Sequence, residues 1–471
     1  MSPARRLVLL SVLGAGACKP TLSFSPAEIA AHEPLVGAPR GFFLGAATSA
    51  HQIEGGTRND WTAWETGRYP DGRPHVRDGA TTARAADSWN LWPKDVEALR
   101  ALGANMYRLG VEWSRLEPTE GAWDEAAAAR YHEMFAALRA AGVTPMVNLW
   151  HFTLPTWVSE KGGLEWDGAP AALADFARRA GAAFGDQVDW WCTLNEPNVY
   201  VAKGYLAAQW PPGVADPARG VRVMAALERA HGLMAAALRE ADRVDADGDG
   251  FATRVGLAHN VRVFDPRSPW NPIDRVVARA ADDFYDEQLL DAVATGRVRA
   301  KLPRVLTIDE PFPPLAGSFD YLGINYYTRE LTAGHLFGGK VYEPTVAPDR
   351  PRNDLGWEIY PEGLTRLLER FSARPWPIFV TENGVADARG TVRPDFLRAH
   401  LYALDRARDE GVNVIGYLHW SLIDNFEWSE GFGGRFGLFT IDFANDPTLA
   451  RRPTPAVDVF REAARNAGIL R

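Results

Sequence analysis

From about Gly41 onward, short apolar runs alternate with segments whose apolar residues recur every three or four positions. Eight of the runs read as buried strands: GFFLGAATS, MYRLGVEWS, TPMVNLWHF, DWWCTLNEP, RVGLAHNVRVF, DYLGINYYT, PIFVTENG and NVIGYLHWSL. Between them lie amphipathic patterns such as PKDVEALRALGAN, AALADFARRAGAAFG and DFLRAHLYALDRARDEG, the last stopped by Gly411. Strictly alternating strands and helices predict a parallel α/β fold, and eight strands are the count of a single (β/α)8 TIM barrel spanning residues 41–471. The competing open, doubly wound sheet is the weaker choice, because no glycine-rich fingerprint opens the first helix. Long loops follow the first strand (Ala50 to about Ser88), the sixth (Arg329 to about Pro377) and the eighth (Ile423 to Asp446). All three are expected on the C-terminal face of the barrel, where such folds build their sites.

The first residues break this pattern. Arg5 and Arg6 precede LVLLSVLGAGA, a run about half the ~20 residues needed to span a bilayer as a helix. Basic start, short apolar run and small residues predict a secretory signal over residues 1–17 rather than a membrane helix. Ala15-Gly16-Ala17-Cys18 resembles a bacterial lipobox, with Cys18 lipidated as the mature N-terminus and residues 18–40 serving as a Pro-rich tether. The expected location is the bacterial cell envelope, lipid-anchored at Cys18. The outer membrane is preferred, because Lys19 stands where an inner-membrane retention Asp would be. Ala15 in place of the usual Leu leaves a secreted or periplasmic protein as the alternative. The other cysteine, Cys192, lies inside an apolar strand and reads as an inert buried thiol. A net charge of −9 argues against nucleic-acid binding. Seventeen tryptophans bias the reading toward flat apolar ligands such as sugar rings, although a large aromatic core must account for most of them.

Two segments carry the chemistry. TLNEPN contains Glu196 and FVTENG contains Glu382, each a carboxylate ending an apolar strand and flanked by Asn. One Glu at a strand end reads as a cap or ion pair. Two that converge on one pocket are the minimum equipment for breaking a glycosidic bond. From these motifs the chain resembles the β-glucosidases of glycoside hydrolase family 1 over about Gly41 to Arg461.

The resemblance implies a retaining, exo-acting β-glycosidase with Glu196 as acid/base and Glu382 as nucleophile. Arg108 would be the cation beside the nucleophile and Tyr327 the phenol that orients it, with Asn325 on the same strand face. It also implies a sugar pocket of Gln52, His151, Asn195, Trp420, Glu427 and Trp428. Phe152 stands where relatives carry Trp, and Asn198 where many carry an aromatic residue, which leaves the aglycone preference open. An anionic Glu427 would repel a 6-phosphate, so the expected substrates are unphosphorylated β-glucosides and short β-linked oligosaccharides, with β-galactosides and β-fucosides as side substrates. No cofactor or catalytic metal is expected, and membrane contact is expected only through the lipid anchor.

Asp245 to Gly250, DADGDG, matches the first half of a calcium loop, but position twelve is Gly256 rather than a bidentate Glu. The favoured reading there is a polar, turned connection. Two other functions use the same fold: a sugar-binding protein without activity, disfavoured by the presence of both carboxylates, and a transglycosylase, which the residues alone do not separate from a hydrolase.

Overall fold

The computed structural model describes residues 22–335 and 341–470. The leader and Cys18 lie outside them. All eight predicted strands form: β1 (Phe43–Ala47), β2 (Met106–Gly110), β3 (Thr144–Trp150), β4 (Trp190–Asn195), β5 (Arg254–Pro266), β6 (Leu322–Gly334), β7 (Ile378–Asn383) and β8 (Val414–Trp420). Each pairs in parallel with its neighbours, and β8 pairs with β1, so the sheet closes into a (β/α)8 barrel. A helix follows every strand, from Ser88–Leu102 after β1 to Ala456–Asn466 after β8.

Both faces of these strands are covered, which is why they read as continuous apolar runs. Met106, Met146, Trp190, Phe379 and Leu418 fill the interior as one cluster, while Leu44, Leu109, Val147, Val255, Ile324 and Val380 pack outward against the helices. The barrel is therefore plugged below its C-terminal rim, and a ligand can enter from that rim only.

Three features depart from the sequence reading. The helix predicted from Pro93 begins at Ser88 and carries Pro93 inside it. Proline has no N–H for the carbonyl four residues back, and Arg130 Nη1 donates to that carbonyl of Trp89 at 2.7 Å instead. Strands β5 and β6 run on together as a ladder to Pro266 and Thr332, where a loop was expected to begin.

The third departure is the expected tether, whose described part, residues 22–40, packs on the barrel. Ser25 caps a helix over Pro26–Ala31, and Phe24 lies edge-on to Tyr402. The Leu35 N–H and His32 Nε2 both bond Asp405 Oδ2, at 2.7 and 2.8 Å, and Leu35 is fully buried. The larger apolar residues of this stretch, Leu22, Phe24, Ile29, Leu35 and Val36, follow no sustained period of two or of three to four, so docking could not be read from it.

Candidate active site

Strict alternation along a strand would turn Glu382 away from the barrel interior, since Phe379, three residues earlier, faces inward. β7 slips its register against β6 between Val380 and Glu382, and against β8 between Val380 and Asn383. The extra residue reverses the pleat, so Glu382 joins the inner face. β4 slips in the same way between Cys192 and Asn195. Glu196 then leaves the strand with φ of 46°, a left-handed conformation that costs a non-glycine residue roughly 1–2 kcal/mol. Phe152 and Trp428, which line the same cavity, share positive φ values of 74° and 49°. Three of the ten non-glycine residues with positive φ among the described residues thus line this cleft, a kind of place where such strain is commonly found. Gly384 is required for a different reason: a Cβ there would stand 1.8 Å from the carbonyl oxygen of Trp420.

The two carboxylates have different surroundings. Glu382 Oε1 accepts from Arg108 Nη1 at 2.6 Å, and Oε2 accepts from the Tyr327 hydroxyl at 2.5 Å. Arg108 is wholly buried. Burial raises the Glu382 carboxyl, and the Arg108 charge and the Tyr327 hydrogen bond offset only part of that rise. Glu196 has only neutral donors on Oε1, Asn260 Nδ2 at 2.7 Å and Asn325 Nδ2 at 2.8 Å. Burial, then the charge of Glu382, push its pKa up to about 8. Glu382 is therefore the first of the pair to ionise, and Glu196 keeps its proton at neutral pH.

Asn195 joins the two halves. Its Oδ1 accepts from Arg108 Nη2 at 2.5 Å and from Asn325 Nδ2 at 3.1 Å, so its Nδ2 donates to His151 Nε2 at 3.0 Å. The proton of neutral His151 then belongs on Nδ1, pointing at the Asn148 amide 3.0 Å away. That amide is best oriented with its oxygen toward the ring, since the opposite orientation leaves Oδ1 buried and unbonded. Burial, then the Arg108 charge, hold His151 well below the ordinary histidine range. Its ring stacks 5.8 Å from Trp420 and 5.9 Å from Trp428, which with Phe152 and Trp210 make an apolar wall.

Glu196, Glu382, Tyr327, His151, Trp420, Glu427 and Trp428 thus come together around one cleft of about 270 Å³. Arg108, Asn195 and Asn325 sit beneath, touching the carboxylates. Gln52 does not line the cleft: its amide donates to Phe426 O at 2.7 Å and Asn425 Oδ1 at 3.1 Å, and its oxygen accepts from Ser49 at 2.7 Å. It anchors the loop that carries Glu427. That carboxyl, expected to be anionic, is pushed up to about 8 by burial and by the charge of Glu382, so it enters neutral solution protonated. Asn198 faces inward too, donating to the carbonyls of Asn260 and Tyr285 at 2.8 and 3.0 Å.

Sequence reasoning missed Asn260 and Tyr285. The Tyr285 hydroxyl donates to Asn260 Oδ1 at 2.8 Å, which directs the amide nitrogen at Glu196. The signal available was Asn260 itself, a polar residue interrupting the apolar run of β5. Tyr285 carried none, since it arrives from a helical segment remote in sequence.

Residues 37–469 match the model of the family described as Glycosyl hydrolase family 1. The chain is 31% identical to the β-galactosidase of Pyrococcus woesei, covering 92% of this chain and 98% of that one. It is 32% identical to β-glucosidase A of Thermotoga maritima, with 88% and 95% covered. Among solved structures, the β-glycosidase from Pyrococcus horikoshii superposes with a TM-score of 0.81 at 33% identity, covering 92% and 96% of the two chains. The β-glucosidase from Thermotoga maritima in complex with glucoimidazole also gives 0.81, at 28% identity over 93% and 99%.

Proposed function

The chain belongs to glycosyl hydrolase family 1, and from that premise we propose that it removes terminal β-D-glucosyl residues from β-glucosides and short β-linked oligosaccharides. β-Galactosyl and β-fucosyl residues are side substrates on this reading. The observation that carries it is the asymmetry of the carboxylates: one is gripped by a buried guanidinium and a phenol, the other only by amides.

The chemistry follows from that asymmetry. Ionised Glu382 attacks the anomeric carbon while protonated Glu196 gives its proton to the departing glycosidic oxygen, so the C–O bond breaks as the ester to Glu382 forms. Arg108 and Tyr327 hold the nucleophile in line and ionised. With Glu382 esterified, its negative charge is gone and Glu196, now ionised, takes a proton from water, whose oxygen attacks the anomeric carbon from the face the leaving group vacated, opposite Glu382, and frees the Glu382 carboxylate. Two inversions give net retention. Amide donation from Asn195 to the sugar 2-hydroxyl would strengthen as positive charge develops on the ring. Trp420 and Trp428 supply its apolar platform, extended by the stacked His151 ring, with Glu427 on the outer hydroxyls.

The test is a panel of nitrophenyl β- and α-glycosides with the mature protein, the product anomer followed by NMR. Only β-glycosides should be cleaved, and β-glucose should appear first. α-Glucose appearing first, or turnover of the α-series, would sink the retaining assignment. We also propose that Cys18 is the lipidated N-terminus of an envelope protein; the small residues before Cys18 support this reading, and Lys19 after it favours the outer membrane.

A further inference from the structure

The DADGDG loop lies at the opposite end of the barrel from Glu196. It joins the helix Pro217–Ala241 to β5, and its neighbour is Asp189, which immediately precedes β4. The Asp189 carbonyl accepts from Arg254 N at 2.7 Å, so entry into β4 and entry into β5 are fastened here. Asp189 is wholly buried, and its Oδ1 accepts from Ala246 N at 2.8 Å. Its Oδ2 is buried without a hydrogen-bond partner. Arg139 Nη1 stands 3.9 Å away, a long ion pair beyond hydrogen-bonding distance.

A carboxylate oxygen shut away from water with nothing to bond is costly. One oxygen each of Asp189, Asp245 and Asp247 lies within 4.8 Å of the others. Oxygens bound to one calcium ion at 2.3–2.6 Å can be at most ~4.6–5.2 Å apart, so the three fit around a single ion of that size. The loop holds its own acids in place: Asp245 Oδ2 accepts from Gly250 N at 2.8 Å, and Asp247 Oδ1 from Asp249 N at 3.1 Å. Asp249 is drawn aside to Arg254 Nη2 at 2.6 Å and is left out of the ligand set. Position twelve of the loop lacks its usual Glu. A residue about sixty positions earlier in the chain, Asp189, brings a carboxylate to the same place.

We propose that Asp189, Asp245 and Asp247 bind a calcium ion that clamps the loop to the start of β4 and β5 as a structural site. The preference for Ca²⁺ over Mg²⁺ follows from an irregular all-oxygen set on a surface loop, which a cation demanding strict octahedral geometry fits poorly. Binding only to the folded chain stabilises it by mass action, without touching the glycosidase chemistry at the far rim.

The experiment uses the mature protein, stripped with chelator, in a thermal scan with and without millimolar CaCl₂. TbCl₃ serves as a luminescent probe sensitised by Trp190, the residue after Asp189. Calcium should raise the midpoint by about 2–5 °C, and less with MgCl₂. Terbium emission under tryptophan excitation should appear and be displaced by calcium. Asp245→Asn, exposed and safe for folding, and Asp189→Asn, whose calcium-free midpoint is measured separately, should both lose the calcium shift. Turnover of nitrophenyl β-glucoside at 25 °C should be the same with and without the ion. The proposal is overturned if wild type shows neither the shift nor terbium emission, or if Asp245→Asn keeps the full shift.

Discussion

At the scale of single residues, the deciding contrast is between two glutamates of the same type and similar burial. Arg108 and Tyr327 pull Glu382 toward the ionised form, while Glu196, facing that charge through neutral amides, is pushed up to about 8. The acid role needs a proton that is present below that pKa and lost above it. kcat/KM for a substrate with a poor leaving group, such as cellobiose, should therefore fall as pH rises through about 8. Glu196→Gln should lower cellobiose turnover by about 10²–10⁴-fold. Dinitrophenyl β-glucoside, whose leaving group needs little protonation, should still show a burst, with no alkaline limb in the rate of that first step. Equal losses on the two substrates would remove Glu196 from the acid role. The identity of both glutamates was legible in TLNEPN and TENG. Their difference in pKa was not, because it comes from residues on β2, β5 and β6 that only the closed barrel brings within hydrogen-bond reach.

At the scale of elements, strand positions were legible because a sheet buried on both faces writes itself as apolar runs. The register slips in β4 and β7 were not, although they aim both carboxylates, since no residue in either run marks a bulge. The N-terminal arm is the element most misjudged by composition. Leu35 has its side chain fully buried and its N–H on Asp405, and Arg408 Nη2 donates to Gly37 O at 2.9 Å. Leu35→Ala should cost about 2–4 kcal/mol of stability, read as a lowered denaturant midpoint, while kcat on nitrophenyl glucoside stays unchanged. An unaltered midpoint would mean the arm contributes no packing in solution.

At the scale of the whole molecule, an arm that docks from residue 22 onward leaves few residues between Cys18 and the barrel. A lipid-anchored form would then hold the enzyme close to its membrane. Among the described residues no helix is long and apolar enough to cross a bilayer. Expressed with its own leader, the protein should sediment with membranes and be released by detergent but not by salt, since several acyl chains hold far better than one. Cys18→Ala should abolish lipid labelling while the folded enzyme keeps its activity; wild type that is wholly soluble with an unmodified N-terminus beyond Cys18 would refute the anchor. What the sequence by itself determined is the order of the strands, the closed architecture their number implies, and which two carboxylates end them. Those are local properties, written in runs of neighbouring residues. Tertiary structure alone decided which way those carboxylates point, which of them holds a proton, that Gln52 and Asn198 support the site from beneath, and that Asp189 meets Asp245 and Asp247. Each of these depends on groups far apart in the chain, whose charges and hydrogen bonds act over a few ångströms and exist only once the barrel has closed.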